Sequence, residues 1–442
     1  MNHRYLPHTE QDVRSMLGVL RLSSLDELFA HLPSAVRLKE PYRLERPFSD
    51  GEVRTAFKQM TGQPLLSLRG FGAYDHDRPA IVDALASRQE FLTSYTPYQP
   101  EVAQGTLQYI FEYQTMICEL TGMDVSNASM YDGATAAAEA MMMAVNQTGR
   151  SRFIASEGLL PHVLETLNTY AHFRGVELIT VPVNDSGIVT QAKLIQALET
   201  PSAGFLVGYP NRYGIVTPLK EFTPLVHQGG ALFVVYADLL ALNVFATPAQ
   251  AEADIVCGEA QTLGIPLSFG GPYLGYLATV NRYVRKMPGR ICGMTKDNRG
   301  QRAYVLTLQA REQHIRREKA NSNICSNQSL MALQATIYAA TLGRAGLREV
   351  AVNAIKATHY LAERLIATKN FAPTYPSAYG YEVTLTYKKN IFELNKRLEA
   401  KGYLGAMPLD DHRGVFYASE KMTKALLDAF INAVEVADRE IR

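Results

Sequence analysis

The sequence predicts an α/β protein, with a large domain built on a parallel sheet and a smaller C-terminal α+β domain. Short apolar strands alternate with helical stretches over residues 152–279, whereas residues after 303 favour long helices and a single strong strand. The 442 residues, 47% hydrophobic and 20% charged, suffice to bury the cores of two domains. We therefore expect an N-terminal arm over 1–60, a large domain over 61–325 and a small domain over 326–442.

The first segment is typical of a helical arm rather than of a domain. Residues 23–29 (SSLDELF) predict a short helix, because a serine at a helix start accepts hydrogen bonds from free backbone N–H groups. Pro33, Pro41 and Pro47 then favour extended pieces. Such an arm is expected to wrap a neighbouring chain.

Two core helices follow the arm. The first is expected to begin at Pro100, which suits the first helical position, and to end at Gly122. The second, rich in alanine and methionine, is predicted over 135–145.

The alternating region predicts right-handed βαβ units and a parallel sheet covered on both faces. Strands are expected at 152–155, 176–181, 205–208, 232–236 and 254–256, and helices at 160–174, 190–198 and 219–228. Ligands of such sheets bind beyond the carboxyl ends of the strands.

The C-terminal pattern predicts one strand among helices. The helices are expected at 304–319, 328–342, 347–369, 391–401 and 421–436, and the strand at 381–387.

Composition and missing motifs exclude several classes. The 44 Lys+Arg balance 43 Asp+Glu, so no long-range field favours nucleic acid or an anionic membrane, and no apolar run reaches the ~18 residues of a membrane span. Cys118, Cys257, Cys292 and Cys325 are too sparse for a disulfide framework, which favours a reducing cytoplasm. The sequence contains no dinucleotide-binding fingerprint, no phosphate-binding loop, no zinc-binding HExxH motif and no GxSxG nucleophile elbow.

Two aspartates mark the expected carboxyl edge of the sheet. Asp238 follows the strand at 232–236, where it could serve either as a functional carboxylate or as the cap of the next segment. Asp132 precedes the small residues Gly133 and Thr135 at a helix start that would otherwise suit a phosphate. Because its carboxylate would repel that phosphate, capping is the favoured interpretation of Asp132.

Three segments of the sequence are each compatible with more than one role. The tyrosine- and proline-rich residues 94–101 suit either a site or a packed loop, and the glycine-rich residues 268–275 permit close backbone approach. The charged run 311–319 is typical of a solvated helix face with pairs such as Glu312–Arg316, or could bring Arg317 to an anionic group across an interface.

Five sequence blocks together resemble the glycine decarboxylase (P-protein) family of the glycine cleavage system. They are SYTPYQPEVAQG at 94–105, NAS at 127–129 with Asp132, ATAAAEAM at 134–141, GIPLSFGGP at 264–272 and LQAREQHIRREK at 308–319. The resemblance runs over nearly the whole chain and points to the α subunit of the two-subunit bacterial form.

That resemblance implies a pyridoxal-phosphate (PLP)-dependent transferase-like fold of the aspartate-aminotransferase type. It also implies a β subunit as partner, in an α2β2 assembly with the site between subunits. The complex would decarboxylate glycine and pass the aminomethyl group to the lipoyl arm of the H protein.

The resemblance also places the cofactor contacts. PLP needs a lysine for its aldehyde and a carboxylate for its pyridine nitrogen, and Asp238 stands where the carboxylate is expected. No lysine occurs between Lys220 and Lys286, and Gln261 stands at the expected lysine position. An amide cannot form an imine, so PLP is expected on the β subunit, and no catalytic residue or metal ligand is expected here.

The predicted site therefore has two parts. Asp132, Gly133, Thr135 and Asp238 would line a degenerate pocket, and Tyr95, Tyr98 and Arg317 would reach the partner's site. Two alternatives stay open: a non-catalytic scaffold subunit, and a standalone PLP decarboxylase or transaminase that uses Lys286 or Lys319.

Overall fold

The computed structural model describes residues 5, 7–40, 42–62, 65–320, 322–324 and 326–441, without the side chain of Arg311. Pro41 and Cys325, named above, lie outside the described residues; Cys118, Cys257 and Cys292 are free thiols. Two units make up the chain, Met1–Gln63 and Pro64–Arg442. Among the described residues, no helix has the length and apolar character needed to cross a membrane.

The N-terminal unit contains helices α1 (Glu10–Leu20) and α2 (Asp50–Met60). Each begins with a reciprocal capping box, Thr9 with Asp12 and Ser49 with Glu52. The helix predicted at 23–29 is a 3₁₀ segment, Leu25–Phe29, and another covers Ser34–Val36. The predicted serine cap is wrong, because Ser24 makes no capping bond and the Ser23 hydroxyl donates to Glu27.

The second unit is built on a seven-stranded sheet. Its strands are β2 (Val125–Ser126), β3 (Arg152–Ser156), β4 (Glu177–Val181), β5 (Gly204–Tyr209), β6 (Leu232–Ala237), β7 (Ile255–Glu259) and β8 (Gly275–Thr279). They follow the order β2-β8-β7-β6-β5-β3-β4, and strands β3 to β7 are parallel. β8 runs antiparallel to both of its neighbours. The predicted parallel sheet is therefore confirmed.

Helices cover both faces of this sheet, and apolar clusters fill the space between them. The helices of this part are α3 (Ala80–Ala86), α4 (Gln89–Leu92), α5 (Gln104–Thr121), α6 (Gly133–Thr148), α7 (Pro161–Arg174), α8 (Gln191–Leu198) and α9 (Leu219–Gln228). Helix α5 ends at Gly122 as predicted, in the left-handed region at φ 75°. It begins at Gln104, however, so the predicted start at Pro100 is wrong.

The largest error of the sequence prediction is the helix at 304–319. Residues there form a hairpin, β9 (Ile291–Lys296) with β10 (Arg302–Thr307), followed by the short helix α10 (Gln313–Arg316) and 3₁₀ turns. Tyr304 and Leu306 alternate inward along β10 and are buried beside α5. The inward residues thus follow the two-residue period of a strand rather than helical spacing.

The prediction of one C-terminal strand is wrong, because this part contains a four-stranded antiparallel sheet. Its strands, in spatial order, are β11 (Phe371–Pro373), β12 (Glu382–Tyr387), β15 (Arg413–Tyr417) and β14 (Met407–Pro408). The helices predicted at 328–342 and 347–369 form one segment, α11 (Ser329–Ala367), interrupted at Gly343 with φ 61°. The other elements are β1 (Leu66–Ser67), α12 (Ile391–Glu399), β13 (Tyr403–Leu404) and α13 (Lys424–Glu440). The domain boundary between 325 and 326 stays a prediction.

Candidate functional site

The carboxyl edge of the parallel strands holds a group of buried and half-buried polar side chains. Asp238 follows β6, and its Oδ1 accepts from the backbone N–H groups of Leu240 and Ala241 at 2.8 and 3.1 Å. Its Oδ2 accepts from the hydroxyl of Tyr381. Burial raises the pKa of Asp238, and the Tyr381 hydrogen bond partly offsets that rise. Asp238 therefore acts as a cap, and both of its oxygens have protein partners.

Gln261 lies beyond β7 at the same edge and is 1% exposed. Its Oε1 accepts from the backbone N–H of Tyr74 at 2.8 Å, and its Nε2 donates to the Tyr74 carbonyl at 2.9 Å. The same Nε2 donates to the carbonyl of Ile265 at 2.6 Å. The amide thus joins two backbone segments that are far apart in sequence.

Helix α6 begins at this edge, and carboxyl groups of the chain itself accept hydrogen bonds from its first N–H groups. Asp132 caps it, since its Oδ1 accepts from the N–H of Thr135 at 2.8 Å, which confirms the predicted cap. The N–H of Gly133, which as the first residue of the helix has no acceptor within it, donates to Glu259 Oε2 at 2.9 Å. A carboxylate here is stabilised by the positive end of the helix. Glu259 thereby takes the position that an anionic ligand would occupy.

A further carboxyl, that of Glu382 on β12, closes the group from the side of the four-stranded sheet. Glu382, 5% exposed, accepts from the Tyr74 hydroxyl at 3.0 Å and from the backbone N–H of Phe71. The Tyr74 and Tyr381 rings meet edge to face with centroids 5.2 Å apart. Burial raises the pKa of both Glu259 and Glu382 to about 7.

One partner-site candidate, Tyr98, lies in a separate cluster with Arg290 and Glu312. Tyr98 accepts a hydrogen bond from Arg290 Nη2 at 3.1 Å, and the Arg290 guanidinium lies 5.2 Å from the centre of the same ring. Arg290 in turn forms an ion pair with Glu312 at 3.3 Å, with side chains only 4% and 8% exposed. The blocks 94–105 and 308–319 therefore meet through Arg290. The suggested solvated pair Glu312–Arg316 is wrong, because Glu312 faces Arg290 inside the protein.

Tyr95 and Arg317 are both exposed at the surface. The Tyr95 side chain is 73% exposed, and its hydroxyl lies 3.2 Å from the Ser326 hydroxyl. Arg317 is exposed in a short 3₁₀ turn with φ 53°. Their predicted roles toward a partner stay predictions.

The two alternative lysines do not belong to the group around Asp238. Lys286 ends a 3₁₀ helix that follows β8, and β8 is antiparallel to β7, so its end lies at the opposite edge of the sheet. Lys319 is exposed at the end of the 317–319 turn. Neither position favours the standalone enzyme.

Comparison with known proteins identifies the family. The family model described as glycine cleavage system P-protein matches residues 3–434. The chain belongs to the glycine cleavage system P-protein family. This membership confirms the resemblance seen in the sequence blocks.

Relatives within the P-protein family match over the whole chain. A Bacillus pumilus protein is 44% identical over 99% of this chain and 100% of its own length, and a Bacillus subtilis protein is 42% identical with the same coverage. A Listeria monocytogenes protein is 44% identical over 98% of this chain and 99% of its own length. All three are named probable glycine dehydrogenase (decarboxylating) subunit 1.

Solved structures confirm the PLP-dependent transferase-like fold. A crystal structure of glycine decarboxylase (P-protein) in inhibitor-bound form has a TM-score of 0.89 and 39% identity, and the match covers 99% of this chain and 100% of that one. A Lactobacillus brevis glutamate decarboxylase shares the fold alone, with a TM-score of 0.69 at 13% identity over 92% and 97% of the two chains.

The P-protein fold implies PLP, but the residues of this pocket do not fit it. The aldehyde would meet the bonded amide of Gln261, the phosphate would meet Glu259, and Asp238 already accepts from Tyr381. The remaining cavity measures about 40 Å³. That is room for only a few waters at ~10–15 Å³ each.

The sequence prediction missed the residues that fill this pocket. Glu259 is the last residue of a buried strand, and Asp238 directly follows one, so the position of Glu259 at the sheet edge could have been noticed. Tyr74, Tyr381 and Glu382 carry no such signal, because they reach the pocket from segments distant in sequence.

Proposed function

We propose that this chain is the α subunit (subunit 1) of a two-chain glycine dehydrogenase (decarboxylating), an oxidoreductase of the glycine cleavage system. In this proposal a β subunit carries the PLP lysine. The assembled α2β2 enzyme decarboxylates glycine and transfers the aminomethyl group to the lipoyl arm of the H protein. Full-length relatives named subunit 1 support the assignment of the chain to one part of such an enzyme.

The hydrogen bonds of Gln261 are the observation that supports PLP binding by the β subunit rather than by this chain. A lysine that held PLP would need free space beside its amine, whereas the Gln261 amide is fully bonded to Tyr74 and Ile265. Glu259 also places a carboxyl where the phosphate would bind, and it already accepts from the Gly133 N–H that would hold that phosphate. This chain therefore contributes no cofactor site of its own.

The contribution of this chain to the reaction comes from Tyr98, together with Arg290 and Glu312, which lie beside it. Arg290 holds the Tyr98 ring and hydroxyl in one orientation, so Tyr98 can present an ordered hydrogen-bonding group to the partner's site. Tyr95 and Arg317 add exposed polar groups that are available to the partner.

One experiment tests the absence of the cofactor. The chain alone, the β subunit alone and the mixture are incubated with PLP, reduced with borohydride and examined for PLP fixed to each polypeptide. We expect fixation on the β subunit only, and glycine-dependent CO₂ release only from the mixture supplied with H protein. Fixation on this chain alone would contradict the proposal and revive the standalone enzyme.

A second experiment separates a catalytic contribution from a scaffold. Tyr95→Phe and Tyr98→Phe are compared in the assembled complex with Tyr403→Phe, which removes a hydroxyl from the C-terminal part. We expect several-fold slower glycine turnover for the first two variants at unchanged assembly, and no effect of the third. Unchanged kinetics in all three would favour the scaffold.

A further inference from the structure

A cavity of about 680 Å³ lies between helix α5, helix α11 and the turn that follows β6. Among the described residues, none that lines this cavity also lines the pocket around Asp238. Sites for small organic molecules in proteins typically measure ~300–1,000 Å³. The cavity is therefore large enough for such a molecule, unlike the 40 Å³ that remain beside Asp238.

The floor of this cavity is apolar. Leu242, Ala339 and Leu347 are buried there, and Met116 and Leu120 are half-buried. These side chains come from α5, from α11 and from the 3₁₀ turn Ala241–Asn243. Contact with this floor would remove the apolar part of a ligand from water, which is favourable.

Helix α11 is interrupted where it forms the wall of the cavity. Gly343 has φ 61° and ψ −178°, a backbone conformation that is essentially restricted to glycine. A Cβ at Gly343 would meet nothing within 4 Å, so open space reaches the helix backbone at this point. Ala339 precedes the interruption and Leu347 follows it. A molecule in the cavity would thus have a wall from each half of the helix.

Three exposed charged side chains also line the cavity, Glu119 of α5 and Arg344 and Arg348 of α11. Arg348 Nη1 donates to the carbonyl of Asn243 at 2.9 Å, which holds its guanidinium beside the floor. Within the part of the chain that the structure describes, the Arg344 guanidinium has no hydrogen-bond or ion-pair partner. Because the two arginines are four residues apart on one helix, both can approach the same anion.

The charges around the cavity favour an anion with a single negative charge. Two arginines against one glutamate leave one net positive charge. A carboxylate matches the planar fork of a guanidinium and accepts two hydrogen bonds from it. A phosphate or a dicarboxylate would bring a second negative charge into the cavity that Glu119 lines, where like charges disfavour each other.

We propose that this cavity binds a small monocarboxylic acid with an apolar body. The carboxylate pairs with Arg344 and Arg348, and the apolar body lies on the floor formed by Leu242, Ala339 and Leu347. The ligand thereby contacts α5 and both halves of α11. The inference is independent of the proposed function, because it uses no residue of the pocket around Asp238 or of the cluster around Tyr98.

Isothermal titration calorimetry of the full chain tests the chemistry of the ligand, with octanoate, hexanoate, octylamine and 1-octanol as probes. We expect octanoate to bind with one molecule per chain, and hexanoate to bind about tenfold more weakly because it buries two fewer CH₂ groups. Octylamine and 1-octanol have the same chain without the carboxylate, so they should bind at least about tenfold more weakly than octanoate. Equal affinities of the three eight-carbon compounds would reflect apolar attraction alone and would overturn the proposal.

Two variants test whether octanoate binds in this cavity. We expect Arg344→Gln to weaken octanoate binding about tenfold, and Glu119→Gln to strengthen it about twofold because a repulsive charge is lost. Arg439→Gln, which removes an exposed arginine from α13, is the control and should stay within about twofold of wild type. All three positions are exposed, so thermal unfolding of the free variants should match wild type. Unchanged affinity of Arg344→Gln for octanoate would overturn the site.

The same titration of the chain bound to its β subunit separates a small-molecule site from a contact between subunits. Retained affinity for octanoate would support the proposal. Loss of octanoate binding when the β subunit is added would overturn it, because the cavity would then belong to the interface. Neither result decides the proposed function, which depends on PLP fixation and on glycine-dependent CO₂ release.

Discussion

The side-chain amide of Gln261 pairs with the backbone of Tyr74 in the manner of one strand residue with another. Its oxygen accepts from the Tyr74 N–H at 2.8 Å and its nitrogen donates to the Tyr74 carbonyl at 2.9 Å. Both groups are buried, so no water replaces these bonds if the amide is lost. Gln261 is thus a structural residue, at the position that we propose corresponds to the lost cofactor lysine.

Replacement of Gln261 by lysine should therefore destabilise the chain without creating a cofactor site. Gln261→Lys would leave the Tyr74 N–H without its acceptor, at about 1–3 kcal/mol, and would bury an ammonium group as well. We expect the free energy of unfolding, measured by denaturant titration, to fall by at least ~3 kcal/mol. Gln228→Lys, at the exposed end of α9, is the matched control and should be near neutral. A stable Gln261→Lys chain that fixes PLP under borohydride would contradict this account.

The start of helix α6 accepts no side chain larger than glycine. A Cβ at Gly133 would collide with the Tyr236 hydroxyl and lie 2.8 Å from the backbone nitrogen of Glu259. Because backbone cannot move away cheaply, we expect Gly133→Ala to lower the free energy of unfolding by ~2 kcal/mol or more. Gly105 in α5 has open space around it, so Gly105→Ala should be neutral or stabilise by up to ~1 kcal/mol. Equal stabilities of the two variants would show that the pocket is looser than described.

These residues also show what could be read from the sequence. The cap of α6 was predictable because Asp132 and Thr135 are three residues apart and the signal is local. The partner of Gln261 was not, because Tyr74 is 187 positions away and only the tertiary fold brings it close. Likewise Glu312 was assigned to a solvated helix face, whereas the β9–β10 hairpin places Arg290 beside it. Local motifs and the parallel sheet were therefore predictable, and contacts between distant segments were not.

The carboxyls of Glu259 and Glu382 predict an unusual dependence of stability on pH. Burial raises the pKa of Glu259 and of Glu382 from 4.5 to about 7. Between these values the folded chain binds protons that the unfolded chain has already released. This extra proton binding stabilises the folded chain by on the order of 3 kcal/mol for each group. The contribution is fully present below pH 4.5 and is lost as the pH rises through 7.

Glu382→Gln isolates one of these two groups. The variant cannot titrate, so the difference in free energy of unfolding between it and wild type should shift in favour of the variant as the pH rises from about 5 to about 8. Glu199→Gln, at an exposed position after α8, should leave the pH profile unchanged. Parallel profiles for Glu382→Gln and wild type would refute the assignment.

The free energy of unfolding should depend strongly on the buried ion pair between Arg290 and Glu312, which lies next to Tyr98. Glu312→Gln keeps the shape of the side chain but removes the charge that faces Arg290, leaving a guanidinium with 4% exposure less well compensated. We expect a loss of ~2 kcal/mol or more in the free energy of unfolding, since breaking a buried pair is costly. Glu90→Gln is the matched control, because the Arg88–Glu90 pair is more than half exposed and such pairs contribute little. If both variants proved equally neutral, Arg290 would not depend on Glu312, and the Tyr98 orientation would have to rest on the other contacts of Arg290.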